Sequence, residues 1–249
     1  MTIQEGELLW TPREAFAKAS QLASFMDWLR VHRQLDFADY AALWQWSVDC
    51  LEDFWAALWQ YFEIESSTPY DCVLKQRVMP GAVWFPGARV NFARHMLRKG
   101  LRGRPAIHHR SEIRAPATLN WEDLRDQVAT LAEAMRRMGI GPGDRVVSTL
   151  PNTPEAVVAL LATTAIGAVW SACSPDFGAR SILDRFQQIE PRLLFAVDGY
   201  RFGGKDFDRR TDLARLVEGL PTLEHLVFLP DLDPAAPRPT LRPEPAVRL

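Results

Sequence analysis

The spacing of hydrophobic positions changes near residue 100. In the first hundred residues apolar side chains recur at helical intervals. "TPRE" offers Thr11 as a cap, Pro12 at a first helical position and Glu14 at the capping-box distance from Thr11. Ala19, Leu22, Met26 and Leu29 then follow close to the 3.6-residue period. From Ser47 onward Leu51, Phe54, Leu58 and Phe62 form a second stripe, widened by Trp55 and Trp59. So aromatic a face predicts docking on a large apolar surface, and plain packing accounts for it better than a cofactor site. "MPGAVWFPGARVNFARHMLRKG" places two Pro-Gly pairs around Trp84-Phe85, which predicts a rigid, turned connector. A short helix is expected from about Asn91 to Lys99, with Arg98 and Lys99 in its last turn opposing the helix dipole.

From about residue 104, short apolar runs alternate with helical segments. "PAIHH", "RVVSTL", "AVWSAC", "RLLFAV" and "LEHLVFL" read as strands. "NWEDLRDQVATLAEAMRRMG", "TPEAVVALLATTAIG", "GARSILDRFQQI" and "DLARLVEGL" read as helices, with Asn120 and Thr153 as expected caps and Pro154 opening the second. This order predicts right-handed βαβ crossovers and a parallel sheet, and the nearly continuous apolar strands predict burial on both faces. "GIGPGD" follows a helix and enters a strand, the reverse of the dinucleotide-binding order, so it reads as a turn. The expected class is α/β: a helical N-terminal cap segment over residues 1–100, a parallel-sheet βαβ subdomain over 101–229, and a proline-rich linker or extension over 230–249.

Composition narrows the function classes. The chain is 47% hydrophobic and 24% charged, the balance of a globular protein, and its net charge of −2 gives no broad attraction for nucleic acid or acidic lipid. The three cysteines, Cys50, Cys72 and Cys173, lack CxxC spacing, so neither a disulfide scaffold nor a zinc ribbon is expected. "MTIQEGELLW" has no cationic leader region and no window is apolar enough to span a membrane, so a cytoplasmic protein is expected.

Ligands of open parallel sheets bind beyond the carboxyl ends of the strands. Three segments here follow such ends: "LPNTPE", "SPDFG" and "DGYRFGGKD". The first offers free N–H groups at a helix start. The third sets a Gly203-Gly204 turn between Arg201 and Lys205, a candidate phosphate grip whose alternative is a solvated loop. Residues 89–114 hold eight Arg or Lys against one Glu, which reads first as a solvated face. His108 and His109 adjoin on a strand and point to opposite faces, so a shared metal is not expected. Ser171 and Ser174 lack a histidine–carboxylate pattern, and no Walker A motif is present. No catalytic residue is assigned.

Three stretches carry more when taken whole. "NWEDLRDQVATLAEAMRRMGIGPGDRVVSTLPNTPEAVVALLATTAIGAVWSACSP" resembles the opening half of the adenylate-forming acyl-CoA synthetase domain, and "WFPGARVNFARHML" resembles the N-terminal cap segment of its acetyl-CoA synthetase-like members. "WSACSPDFGARSILDRFQQIEPRLLFAVDGYRFGGKDFDRR" is similar to the acetoacetate–CoA ligase branch, where SPDFG replaces a pair of glycines. The resemblance implies a ligase using acetoacetate, ATP and CoA, with Mg²⁺, through an acyl-adenylate.

It also implies that Ser174, Pro175 and Asp176 lie along the path of CoA and that Arg201 and Lys205 stand where cations meet its 3′-phosphate. Gly204 occupies one position where the family carries arginine, with Lys205 beside it. The family's Ser/Thr/Gly-rich ATP loop, acyl pocket and C-terminal lysine domain have no counterpart here. The expectation is therefore an N-terminal portion, inactive alone, whose partner is the remaining C-terminal part of the same chain. Alternatives are a portion of an acetate or propionate ligase, or a non-catalytic module that binds CoA or a nucleotide.

Overall fold

The structure is a computed structural model describing residues 4–239. It divides into two compact units, Met1–Val90 and Asn91–Leu249. The first contains α1 (Glu14–Lys18), α2 (Gln21–Arg33), α3 (Tyr40–Asp49) and α4 (Leu51–Tyr61), then a short antiparallel pair, β1 (Leu74–Gln76) with β2 (Val83–Trp84). Its core gathers Phe25 and Leu29 of α2, Leu43 of α3 and Ala57 of α4. The wide aromatic face of α4 docks within this unit: Trp59 packs on Tyr70 and Phe85, with ring centroids 5.2 and 4.6 Å away, and Trp55 on Trp84 at 5.6 Å.

Two expectations for this unit are corrected. Thr11 does not cap the first helix, which starts at Glu14 after an extended Arg13 and makes no side-chain cap bond. The chain restarts at Ser20, whose hydroxyl accepts from the Ala23 N–H at 3.1 Å. The second stripe is not one helix from Ser47: α3 begins at Tyr40 under an Asp39 cap, and the chain breaks at Cys50 before α4.

The second unit opens with α5 (Phe92–Arg98), capped by Asn91, whose carboxamide oxygen accepts from the Arg94 N–H. Ala93 is fully buried with Leu124 and Val128, so α5 packs with this unit. Next come β3 (Pro105–His109), β4 (Ala117–Asn120), α6 (Trp121–Arg137), β5 (Arg145–Thr149), α7 (Pro154–Ala165), β6 (Val169–Ala172) and α8 (Ala179–Phe186). The chain continues through β7 (Leu193–Val197), β8 (Gly199–Phe202), β9 (Lys205–Asp208), α9 (Arg210–Gly219) and β10 (His225–Leu229).

The main sheet is parallel with order β10-β7-β5-β6. Alternate residues of its strands enter two separate cores. Val146, Leu193, Phe195 and Val197 pack under α6 and α7, while Val147, Leu194 and Ala196 pack under α8 and α9. A period of two with both faces apolar is what continuous hydrophobic strands require. Two antiparallel pairs flank this sheet, β3 with β4 and β8 with β9.

The expected caps Asn120 and Thr153 make no side-chain cap bond. Asn120 is instead the last residue of β4, paired with Pro105. The Thr153 hydroxyl is engaged by the Glu155 side chain, and Pro154 opens α7 as expected. The start of the proline-rich tail is anchored: Asp198, only 2% exposed, accepts from the N–H groups of Asp231, Leu232 and Asp233 at 2.6–3.0 Å. Residues 240–249 lie outside the described residues.

At the amino ends of the strands Arg192 is held by Glu224 (2.8 and 2.5 Å) and Asp144 (2.7 Å). The Arg192 guanidinium holds both carboxyls below their ordinary values. A carboxyl lowered by folding contributes stability that is complete above its unfolded value and is lost as pH falls through the folded one. The second unit should therefore weaken below the ordinary values of 3.8 and 4.5 for these two groups. Arg192→Gln should cost about 1 kcal/mol at pH 7 and shrink the drop between pH 5 and pH 3. Urea midpoints at the two pH values check this; parallel drops in both proteins would reject it.

Candidate functional site

The three segments that follow strands do converge. A cleft of about 1060 Å³ opens beyond the carboxyl ends of β5 and β6. One wall is Pro151, Asn152, Thr153 and the first turns of α7; the end of β3 contributes His108, His109 and Arg110. Cys173, Ser174, Pro175 and Asp176 line it after β6, and Tyr200 and Phe202 enter from β8. Trp170 joins this lining and rests against Phe195, with ring centroids 6.1 Å apart.

The predicted residues fall into two sets. Ser174, Pro175 and Asp176 line the cleft; Pro175 is buried, while Ser174 and Asp176 are exposed. Arg201 does not line it. The sequence suggested a loop there, but the segment is a hairpin, and on β8 the side chains of Tyr200 and Phe202 face the cleft while Arg201, one residue away from each, points to the other face. Arg201 forms a two-point ion pair with Asp206, at 2.5 and 3.0 Å. Asp206 and then Glu112 raise the Arg201 guanidinium above its ordinary value. Lys205, exposed at the far side of the turn, pairs with Phe202 in the ladder and has no ion pair with a described residue.

Sequence reasoning missed several groups. Arg114 donates to both oxygens of Glu155 (2.8 and 3.0 Å) and to Asp231 (2.5 Å), tying the segment between β3 and β4 to the start of α7. Burial disfavours the charge on both Arg114 and Glu155. The ion pairs still raise the Arg114 guanidinium, and the Thr153 hydroxyl, the backbone and Arg114 hold the Glu155 carboxyl below its ordinary value. Arg209 donates to the Tyr200 hydroxyl at 3.0 Å and lies over its ring, so it fixes one aromatic wall. Burial pushes the Cys173 thiol up, which leaves it a poor nucleophile at neutral pH. These contacts join residues far apart in sequence, and nothing in local spacing marks them.

Among the described residues no group of three His, Cys, Asp or Glu side chains could hold a metal ion, and no helix is long and apolar enough to cross a membrane. What the cleft offers is a mixed wall of aromatic rings, loop amides and a helix start at the end of a parallel sheet.

The profile of the family described as AMP-binding enzyme matches residues 94–246, and the chain belongs to that family. The profile described as acetyl-coenzyme A synthetase N-terminus matches residues 40–96. The chain is similar to acetoacetyl-CoA synthetase of Rattus norvegicus, 40% identical over 231 residues, which cover 92% of this chain and 34% of that protein. It is likewise 40% identical over 217 residues to acetoacetyl-coenzyme A synthetase of Rhizobium meliloti (strain 1021), covering 86% of this chain and 33% of that one.

The solved structure of acetoacetyl-CoA synthetase from Streptomyces lividans superposes with a TM-score of 0.87 at 50% identity, covering 93% of this chain and 36% of that one. The α/β class with N-terminal helices and a parallel sheet is that of a partial adenylate-forming domain. The chain spans about a third of the length of the curated relatives it matches.

Proposed function

We propose that this chain is the N-terminal third of a cytoplasmic acid–thiol ligase that makes acetoacetyl-CoA. In that reaction the acetoacetate carboxylate attacks the α-phosphorus of ATP, the bond to pyrophosphate breaks and an acyl-adenylate forms; Mg²⁺ would supply charge neutralisation at the phosphates. The CoA thiol then gives up its proton to solvent as its sulfur attacks the acyl carbon, and AMP departs with the electrons of the broken acyl–oxygen bond. A carboxylate is a poor electrophile, and adenylation turns its oxygen into a good leaving group.

In this reading CoA runs over Ser174, Pro175 and Asp176, with its phosphate end on the outer face of the hairpin near Arg201 and Lys205. No described residue is assigned to Mg²⁺. The observation that carries the reading is the meeting of three post-strand segments at one cleft, in a chain similar across most of its length to acetoacetyl-CoA synthetases.

A chimera tests it. These residues should replace the matching segment of a full-length acetoacetyl-CoA synthetase and preserve acetoacetate-dependent AMP release. Arg201→Ala in that chimera should raise KM for CoA about tenfold with a smaller change in kcat. The 249-residue chain by itself, given ATP, acetoacetate, CoA and Mg²⁺, should release no AMP above blank. A folded chimera that releases none, or an isolated chain that does, rejects the proposal.

A further inference from the structure

The turn of the β8–β9 hairpin already holds an anion, and the anion belongs to the chain itself. Gly203 and Gly204 both have left-handed backbones, with φ of 58° and 73°. Successive residues of this kind turn their N–H groups toward a common point, which makes a small anion-binding concavity. Glu112 fills it: Oε1 accepts from the Gly203 N–H at 2.7 Å and Oε2 from the Gly204 N–H at 2.8 Å. No heavy atom lies within 4 Å of where a Cβ on either glycine would stand, so the turn is open on its side-chain face. Arg201 and Lys205 flank it.

Glu112 is itself exposed, on the segment that joins β3 to β4. That segment is fixed at its other end by Arg114 on Glu155 and Asp231. The end of β3 and the inner face of β8 line the same cleft. The Glu112 bridge therefore joins two parts of the cleft rim that sequence separates by 91 positions.

We propose that Glu112 is a displaceable internal plug: its carboxylate occupies the amide pair that a phosphate-bearing ligand needs, and its departure frees the strap between β3 and β4. This rests on the reading that Arg201 and Lys205 are phosphate partners. A phosphoryl group brings more charge and more acceptor oxygens than one carboxylate, so it competes for the two amides. The two anions cannot share them, because like charges a few ångströms apart repel. Binding at the turn and release of the strap are thus two faces of one exchange, and each biases the other. An unfilled site keeps its rim closed; a phosphate opens it.

The test uses the intact 249-residue chain, with inorganic pyrophosphate and CoA as probes. Glu112→Gln keeps the shape and removes the charge. It should bind pyrophosphate about five-fold more tightly in calorimetry, with the gain shrinking as salt rises. Hydrogen exchange should be faster over residues 199–206 in the unliganded variant, and pyrophosphate should speed exchange over 110–114 in the wild type. Glu112→Asp, which keeps the charge but is too short to reach both amides, should show the faster exchange and little of the affinity gain.

Equal pyrophosphate affinity for Glu112→Gln and wild type overturns the plug. CoA binding weakened by Arg201→Ala together with no effect of Glu112→Gln means that the plug fails while the phosphate reading holds. Pyrophosphate bound by neither protein, with CoA binding unaffected by Arg201→Ala, rejects both.

Discussion

Phe195→Ala is expected to remove about 4 kcal/mol from the stability of the second unit. Phe195 stands in the middle of β7, the strand whose five residues are all buried, and is itself only 2% exposed. β5 and β10 pair with β7 on its two sides, so the backbone around a missing phenyl ring has little room to collapse. The same substitution also undermines Trp170, which rests on Phe195 and lines the cleft. Phe186→Ala should cost a similar amount, because Phe186, the last residue of α8, is fully buried in the other core. The two rings share no core layer, so their costs should add to within about 0.5 kcal/mol. Their sum of about 8 kcal/mol approaches the whole stability of an ordinary domain, so the double variant should lose its cooperative transition. Urea unfolding followed by far-ultraviolet circular dichroism reads all three proteins. A single variant within about 1 kcal/mol of wild type would contradict the two-layer core.

Among the strands legible in the sequence, β5 and β7 are buried on both faces, while β3 and β6 are more exposed. "RLLFAV" carries a run of apolar residues because successive side chains enter different cores, and that demand writes itself into the local sequence. β4 is different. "ATLN" is four residues long, mostly exposed, and runs straight into α6, so its apolar content never rises above its surroundings. β8 and β9 were hidden for the same reason: GYRF and KDFD are short and largely exposed, and the glycines between them advertised only a turn. Reading that stretch as a loop left the direction of Arg201 undetermined. Once it is a strand, alternation sends Tyr200 and Phe202 to the cleft and Arg201 away from it.

The cleft itself was legible from one rule about parallel sheets, because the rule needs only the strand ends. The residues that shape its rim were not. Arg114 reaches Glu155 across 41 positions and Asp231 across 117, and Glu112 reaches the glycine turn across 91. A charge run between residues 89 and 114 looked like a solvated face, yet Arg114 serves as a strut and the lone Glu of that stretch is the one that holds the turn. Local composition records how often a side chain is charged; it does not record whom that charge meets.

Gly199→Ala is expected to cost about 3 kcal/mol, and to do so by forcing β8 and β9 apart or displacing the segment at Leu232. A Cβ at this position would lie 2.4 Å from the Phe207 carbonyl oxygen and 3.2 Å from the Asp208 Cα, both backbone, and 2.8 Å from a methyl of Leu232. The Leu232 side chain could turn aside, but the Phe207 carbonyl belongs to β9 and is held in register with β8. The added methyl group must therefore separate the two strands or displace residues 231–233 from their bonds to Asp198. Either movement shifts Tyr200 and Phe202, and with them one wall of the cleft. Gly203→Ala is the matched control. Its Cβ would meet nothing within 4 Å, and only the left-handed backbone resists it, at about 1 kcal/mol. The melting temperature of the Gly199 variant should fall by roughly 6–12 °C, against about 2–4 °C for the Gly203 variant. If the two substitutions melt together, the close approach of β9 to Gly199 is not what fixes the hairpin, and the aromatic wall must be held in place by the Arg209 contact to Tyr200 instead.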